Sequence, residues 1–422
     1  MWITVLVSFC IILAVYGQTM NDSTKLIEDL LKGYDKMIRP TDDQSTPVSL
    51  NISMDLVAIQ EFDEVLEKFS VVAIIYITWM EPRMMWNPLN YNGLYTTTIP
   101  VSNIWTPMLI VGNSFEKIDP LGGDWMTVRY YANGFSVYSP GDVFKTTCSV
   151  DVTFYPFDTQ SCKVVLIPWG SLPNEIALKS NSDVVLKTFF SENGEWEILS
   201  TSVAFAETDT LSLIQFNIKM KRRPTFFLVN VILPIIFMGL LNILVFLLPA
   251  ESGERISFAI TVLLAFTVFL TLVGDNLPKT SQPMSMICYF LLVNLSLSTF
   301  ICIATILNLR LFHKPESKPV PRLLIAIARK LNCMSAPAQD AIQPYIPGSI
   351  NEVSCTEKVK MSFKLEKESS QLWASNEEFV PVVNWKEISR MVDKVMCIVS
   401  FLWLSISSTA FIVMISNNQE IH

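Results

Sequence analysis

Cys148-Ser149-Val150-Asp151-Val152-Thr153-Phe154-Tyr155-Pro156-Phe157-Asp158-Thr159-Gln160-Ser161-Cys162 is the stretch on which the reading of this chain turns. Its two cysteines are the only ones between Gln18 and Pro224. A lone pair in an oxidising compartment is most simply a disulfide. Closing so short a loop contributes about 3 kcal/mol in the chain-entropy description. At its centre Tyr155-Pro156-Phe157 sets aromatic rings on both sides of a proline, which favours a tight turn and a cis bond. A tip that apolar calls for a partner, such as the membrane-facing end of another domain. An ordinary disulfide within a sandwich is the plainer alternative.

The sequence around the loop reads as strands. Residues 48–54 alternate strictly between apolar and polar, and 71–79 are rich in β-branched and aromatic side chains. Similar runs recur at 125–131, 148–154, 162–167, 183–188, 196–205 and 214–220. Turn signals such as Pro140-Gly141 and Glu192-Asn193-Gly194 separate many of them. Many short, regularly punctuated strands predict a β-sandwich. A short helix over 22–35, capped by Asp22 or Ser23, precedes it. Further upstream, 3–15 is an apolar run of signal-peptide length, ending at Val15-Tyr16-Gly17. It lacks a basic n-region, and a membrane anchor is the alternative. Cleavage there makes 18–224 an extracellular domain, in which the sequons at Asn21 and Asn51 become glycosylation candidates.

Downstream the composition switches. Residues 226–248, 256–273, 286–311 and 395–415 are apolar runs near the length that crosses a hydrocarbon core. Pro234 falls inside the first and predicts a kink. The whole chain is only 17% charged, below the roughly 25% usual in soluble proteins. The expected order is therefore a signal peptide at 1–17, the sandwich at 18–224 and three membrane helices within 225–311. A cytoplasmic connector follows at 312–391, ending in an amphipathic helix at 384–394. A fourth membrane helix at 392–415 and an extracellular tail at 416–422 complete it. The connector carries most of the later Lys and Arg, as the positive-inside rule prefers. Lys219, Lys221, Arg222 and Arg223 break that rule, which predicts a specific acidic partner.

The second run has a face of its own. At 100° per residue Glu254, Ser257, Thr261, Leu264, Val268, Thr271 and Asp275 fall within a stripe about 100° wide. Carboxylates stand at both ends, hydroxyls near one end and apolar side chains between. A symmetric ring of such helices encloses a pore. Its carboxylate rings would concentrate cations at each mouth, and its Leu and Val rings would gate by dewetting. The plainer alternative is that Ser257 and Thr261 merely bond back to their own helix, which leaves the two carboxylates unexplained. A net charge of −8 speaks against nucleic acid. With two histidines, no nucleophile–base set and no metal spacing, neither a catalytic site, a metal nor a cofactor is expected.

These motifs resemble the Cys-loop pentameric ligand-gated ion channels, and among them the nicotinic acetylcholine receptor branch. The likeness rests on the Cys148–Cys162 spacing with Asp151 and Tyr155-Pro156-Phe157-Asp158 inside it. It rests equally on Leu247-Leu248-Pro249-Ala250-Glu251-Ser252-Gly253-Glu254 and on Ile260-Thr261-Val262-Leu263-Leu264. The resemblance implies an extracellular all-β sandwich with a short N-terminal helix, a four-helix transmembrane bundle, and homo- or hetero-pentameric assembly with homologous subunits. Anion-conducting members typically carry a Pro-Ala insertion where this chain has Gly253-Glu254, so sodium and potassium are the implied permeant ions, with calcium left open. Coupling of ligand to pore is implied for Glu64, Val65, Tyr155, Pro156, Phe157, Asp158, Arg222 and Pro278. Glu64 would pair with Arg222, and the loop around Leu277-Pro278-Lys279 would touch the Cys148–Cys162 loop.

A small acetylcholine-like extracellular agonist is implied between subunits, with Trp169 on the principal face and Trp79 on the complementary face. Trp86 and Trp105 are read as core. The family's principal-face tyrosine is replaced by Gly112, and the hairpin between Trp196 and Phe216 has neither a cysteine pair nor a tyrosine. A structural subunit and a receptor for another ligand therefore remain as alternatives, and a membrane-anchored binding protein or enzyme without conduction is a further one. The implied location is the plasma membrane, multi-pass, with both ends outside; synaptic placement is left open.

Overall fold

The computed structural model describes residues 18–275, 277, 284–315, 319–321, 324 and 384–419. The signal-peptide reading, Pro278, Lys279 and nearly all of the connector lie outside the described residues. Helix α1 spans Met20–Leu31. Its cap is Thr19 rather than Asp22 or Ser23. Thr19 accepts from the Asp22 amide while the Asp22 carboxylate reaches back to the Thr19 amide at 3.0 Å, a reciprocal capping box. Both partners are polar and short, so the box moves the helix start upstream of the apolar face.

Eleven strands follow among the described residues, in two sheets. The first is ordered β3 (Thr96–Pro100), β5 (Thr127–Tyr131), β6 (Asn133–Tyr138), β2 (Lys68–Met85), β1 (Val48–Asp63) and β9 (Ile176–Lys179), with β7 (Gly141–Thr147) also paired to β2. The second is ordered β10 (Trp196–Glu207), β11 (Ser212–Arg222), β8 (Thr159–Pro168) and β4 (Leu109–Val111). Alternation fixes what each strand buries. On β2, Val71, Ala73, Ile75, Ile77 and Trp79 turn inward. On β11, Ile214, Phe216, Ile218 and Met220 do the same, and the period carries on to Arg222, so a charged residue occupies the last core-facing place.

Two expected strands are corrected. The run 148–154 is irregular, because β7 ends at Thr147 and Asp151 Oδ1 accepts from both the amide and the hydroxyl of Thr153, closing a local turn. The run 183–188 makes only an isolated parallel bridge, Asp55 with Leu186.

Among the described residues four helices are long and apolar enough to cross a membrane: α2 (Thr225–Leu247), α3 (Arg255–Asp275), α4 (Met286–Phe312) and α5 (Trp385–Gln419), the last apolar as far as Ser416. The amphipathic segment runs without a break into the fourth span, as one helix, α5. Pro234 follows a π-helical turn at Leu228–Ile232, the usual accommodation for a residue with no N–H to donate. Between α2 and α3, Gly253 takes φ +73°, where a side chain is strained. The chain divides into two compact units. One comprises Met1–Ile236, Thr267–Leu292 and Ser408–His422; the other comprises Phe237–Phe266 and Val293–Ser407. In the first, Phe290 of α4 stacks on Phe411 of α5 at 4.7 Å. In the second, Val245, Phe246, Ala259, Leu297 and Ile301 form a core cluster.

Candidate functional site

Arg222 is where the sandwich meets the first membrane helix. Its inward place on β11 sets it directly opposite Trp196 of β10, whose indole lies 4.3 Å from the guanidinium. Tyr155 at 4.9 Å and Phe227, in the first turn of α2, at 5.4 Å complete an aromatic cage. Asp158 accepts from Nε at 2.7 Å and from Nη2 at 3.1 Å, a bidentate grip, and Glu64 accepts from Nη2 at 2.5 Å. Burial works hardest against the charge on Arg222. The bonds and charge of Asp158, with those of Glu64, outweigh it and raise the pKa above its ordinary value. Burial likewise holds the Tyr155 phenol above its usual range, so it stays neutral.

The disulfide Cys148–Cys162 forms, and the Tyr155–Pro156 bond is cis. Gln160 stiffens the loop from inside, donating to Asp158 Oδ2 at 2.6 Å and to the Asp151 carbonyl at 2.8 Å. Tyr155 packs edge-on against Phe227 at 5.2 Å. The Met286 amide, at the start of α4, donates to the Thr153 carbonyl at 2.9 Å. The loop therefore touches two membrane helices, one through aromatic packing and one through a backbone bond. Leu277 is buried, and Val65 is exposed. The structure brings Glu64, Tyr155, Asp158 and Arg222 together. Sequence reading did not single out Trp196, Phe227, Gln160 or Met286. The inward parity of Arg222 on β11 was the available signal.

All seven residues of the predicted stripe are exposed, from Glu254, just ahead of α3, to Asp275 at its end. The buried face carries Arg255, Ala259, Val262, Phe266 and Val273. Thr261 Oγ1 does bond back to the Ser257 carbonyl at 2.9 Å, as the plainer alternative expects, yet it remains on the exposed face. Arg255 is buried and donates to the Val245 and Phe246 carbonyls at 2.9 and 3.0 Å. It thereby satisfies groups that a helix end leaves open. It also pairs with Asp393 of α5 at 2.8 Å.

The aromatic candidates part company. Trp169 is 56% exposed at the end of β8. Trp79 is 2% exposed and lies edge-on to Trp105 at 5.8 Å. Its odd parity on β2 puts it on the core face, so its assignment to a complementary ligand face is corrected: it is a core tryptophan. Trp105 is buried as expected, and Trp86 donates its indole N–H to the Leu94 carbonyl at 2.6 Å. At Gly112 a Cβ would lie 2.2 Å from the Ile167 side chain, so Ile167 fills the space a larger residue would need. Between β10 and β11 only residues 208–211 remain for the turn, closed by Thr208 N to Leu211 O at 2.8 Å. Asn21 is exposed on α1, whereas Asn51 is mid-strand with its amide oxygen buried, which leaves Asn21 the better-placed sequon. Among the described residues no group of His, Cys, Asp or Glu is arranged to hold a metal ion.

A β-sandwich tied by a buried charge node to the first of the four membrane-length helices among the described residues is the build of a membrane-spanning receptor. Residues 23–224 match the model of the neurotransmitter-gated ion-channel ligand binding domain, and 231–381 that of the neurotransmitter-gated ion-channel transmembrane region. The chain belongs to the neurotransmitter-gated ion-channel family, a family of channels rather than enzymes. It is 28% identical to the neuronal acetylcholine receptor subunit beta-3 of Homo sapiens, over 92% of this chain and 90% of the relative. It is 30% identical to the neuronal acetylcholine receptor subunit non-alpha-2 of Carassius auratus, over 73% of this chain and 69% of the relative. The neuronal acetylcholine receptor subunit alpha-6 of Pan troglodytes is 29% identical over 73% of this chain and 63% of its own length.

Proposed function

We propose that this chain is one subunit of a pentameric, cation-conducting channel of the plasma membrane, opened by a small extracellular agonist. The carrying observation is the exposed face of α3. A helix of this apolarity that leaves Glu254, Ser257, Thr261 and Asp275 uncovered needs either lipid or water beside them, and carboxylates reject lipid. Five such faces around one axis make a water column with acidic rings at both mouths. The Arg222 node supports the coupling step. Movement of the sandwich would pass through Asp158 and Tyr155 to Phe227 on α2, and through Thr153 to Met286 on α4. Sodium and potassium are the proposed permeant ions.

A second reading concerns this subunit's share of the agonist site. Ile167 occupies the room beside Gly112, Trp79 is buried, and the β10–β11 turn is short. Of a full aromatic box for a quaternary ammonium, the exposed indole of Trp169 is what stands on this chain. These observations favour a structural subunit whose neighbours carry the agonist site.

Ion-substitution recordings from oocytes co-expressing the chain with nicotinic subunits test the selectivity. Diluting external sodium chloride should move the reversal potential toward negative voltages, as for a cation pore, and Glu254→Gln should lower conductance. A shift toward positive voltages would contradict cation conduction.

A further inference from the structure

Lys219, Lys221, Arg222 and Arg223 stand just ahead of the first membrane helix, and the fold accounts for two of them. Arg222 is held by Asp158 and Glu64, and Arg223 meets Glu192 at 3.5 Å. Lys219 and Lys221 have outward parity on β11, alternating with the buried Ile218, Met220 and Arg222. β11 lies between β10 and β8, and register fixes what flanks each lysine. Lys221 stands between Glu197 of β10 and Thr159 of β8. Lys219 stands between Ser200 and Ser161, and Asn217 between Ser202 and Lys163. Residues directly opposite in a ladder share a face, so Lys163 joins Lys219 and Lys221 on the outer face of the second sheet.

These rows climb β11 away from the start of α2 at Thr225, about 7 Å apart. Lys163 is exposed, and Lys219 and Lys221 are half-buried. None of the three has a carboxylate at ion-pairing distance among the described residues. Glu197 is the acidic residue of the rows, and it faces Lys221 without closing a pair. The rows contain hydroxyls, an amide and charges but no apolar side chain. They therefore offer no anchor of the kind around which protein interfaces are built. A lipid headgroup at the start of α2 is level with the first row, whereas Lys163 lies ~14 Å further along the sheet. A linear polyanion reaches all three lysines. Beside them the exposed hydroxyls of Ser161 and Ser200 can donate to the oxygens of a tetrahedral anion.

We propose that the outer face of the second sheet binds a linear sulfated glycan, with its sulfates on Lys163, Lys219 and Lys221 and accepting from Ser161 and Ser200. This rests on the reading that places the sandwich outside the cell. Contact at Lys221 sets the glycan one residue from Arg222, on the opposite face of the strand that carries the charge node.

The test uses assembled receptors containing the full chain, purified in detergent, and a fluorescent heparin dodecasaccharide whose anisotropy reports binding. Lys219→Gln with Lys221→Gln should weaken binding about tenfold at low salt, a few-fold for each exposed ion pair. Lys163→Gln alone should weaken it a few-fold. Binding to a linear polyanion releases its counterions, so each lysine removed should also flatten the slope of log affinity against log salt by about one. Substitutions on an exposed face change stability little. Glu197→Gln should strengthen binding a few-fold by removing the opposing charge; a gain of affinity is a result that misfolding cannot produce. Hyaluronan, which carries carboxylates and no sulfate, should bind about tenfold more weakly or worse, and so should polyglutamate. Unchanged affinity and salt slope in the double lysine variant overturn the site. Hyaluronan or polyglutamate binding as tightly as heparin overturns its assignment to a sulfated chain. The readout needs no current, so its failure leaves the channel reading standing. An antibody against the sandwich, applied to intact cells, tests the extracellular placement separately.

Discussion

Removing the Arg222 charge is the perturbation that bears hardest on how the sandwich is joined to the helices. The Arg222 and Asp158 side chains are 3% and 2% exposed, and Glu64 is 17% exposed. Breaking a buried pair by deleting one partner costs about 3–5 kcal/mol, because the other charge is left uncompensated. Asp158→Asn should therefore cost about 3–5 kcal/mol, since it forfeits half of a bidentate grip. Glu64→Gln should cost less, about 1–2 kcal/mol, since water reaches the carboxylate. Arg222→Gln strands Asp158 and leaves the Trp196 and Phe227 rings without their cation. Because the three side chains share one network, their effects should not add. The assay is a double-mutant cycle on the gating equilibrium constant from single-channel recordings, with surface-antibody binding as a parallel measure of folding. The Asp158–Arg222 coupling energy should exceed about 2 kcal/mol, and that of Glu64–Arg222 about 1 kcal/mol. Additivity within about 0.5 kcal/mol for Asp158 and Arg222 would refute the shared node.

The two tryptophans should separate cleanly. Trp79→Ala should reduce surface expression severely, by the roughly 3–5 kcal/mol that truncating a core aromatic costs. Trp169→Ala should leave expression near normal and shift the agonist concentration–response curve only where this chain supplies the principal face. Equal surface loss in both variants would contradict their different burial. At the other end of the helices, Asp393→Ala should lower thermal stability of the purified receptor by several degrees, because Arg255 is left charged and buried. An unchanged melting curve would show that the pair carries no structural weight.

Much of this was legible in the residue pattern, for physical reasons that differ by element. Residues 48–54 alternate so strictly that only a strand with one buried face explains them, and β1 runs through them. The membrane helices announce themselves by length and apolarity, and their bounds shift by a residue or two at most ends. The stripe on α3 was readable because a fixed 100° step is enough to compute a helix face. Trp79 was misread because a tryptophan near a family position says nothing about which side of the strand it faces. Parity on β2 decides that, and parity is fixed by pairing register with β1 and β6. The strands Leu109–Val111 and Ile176–Lys179 are too short to show a period. The aromatic cage of Arg222 joins β10, β11, the disulfide loop and α2, so no local window contains it.

Cysteine substitution along α3, with a water-borne cationic methanethiosulfonate reagent applied to open channels, reaches the central claim most directly. Cysteines at Ser257, Thr261, Leu264 and Val268 should react and block current, whereas those at Ala259, Val262 and Phe266 should not. Reaction spread evenly round the helix, or confined to the second set, would contradict a water column lined by that face.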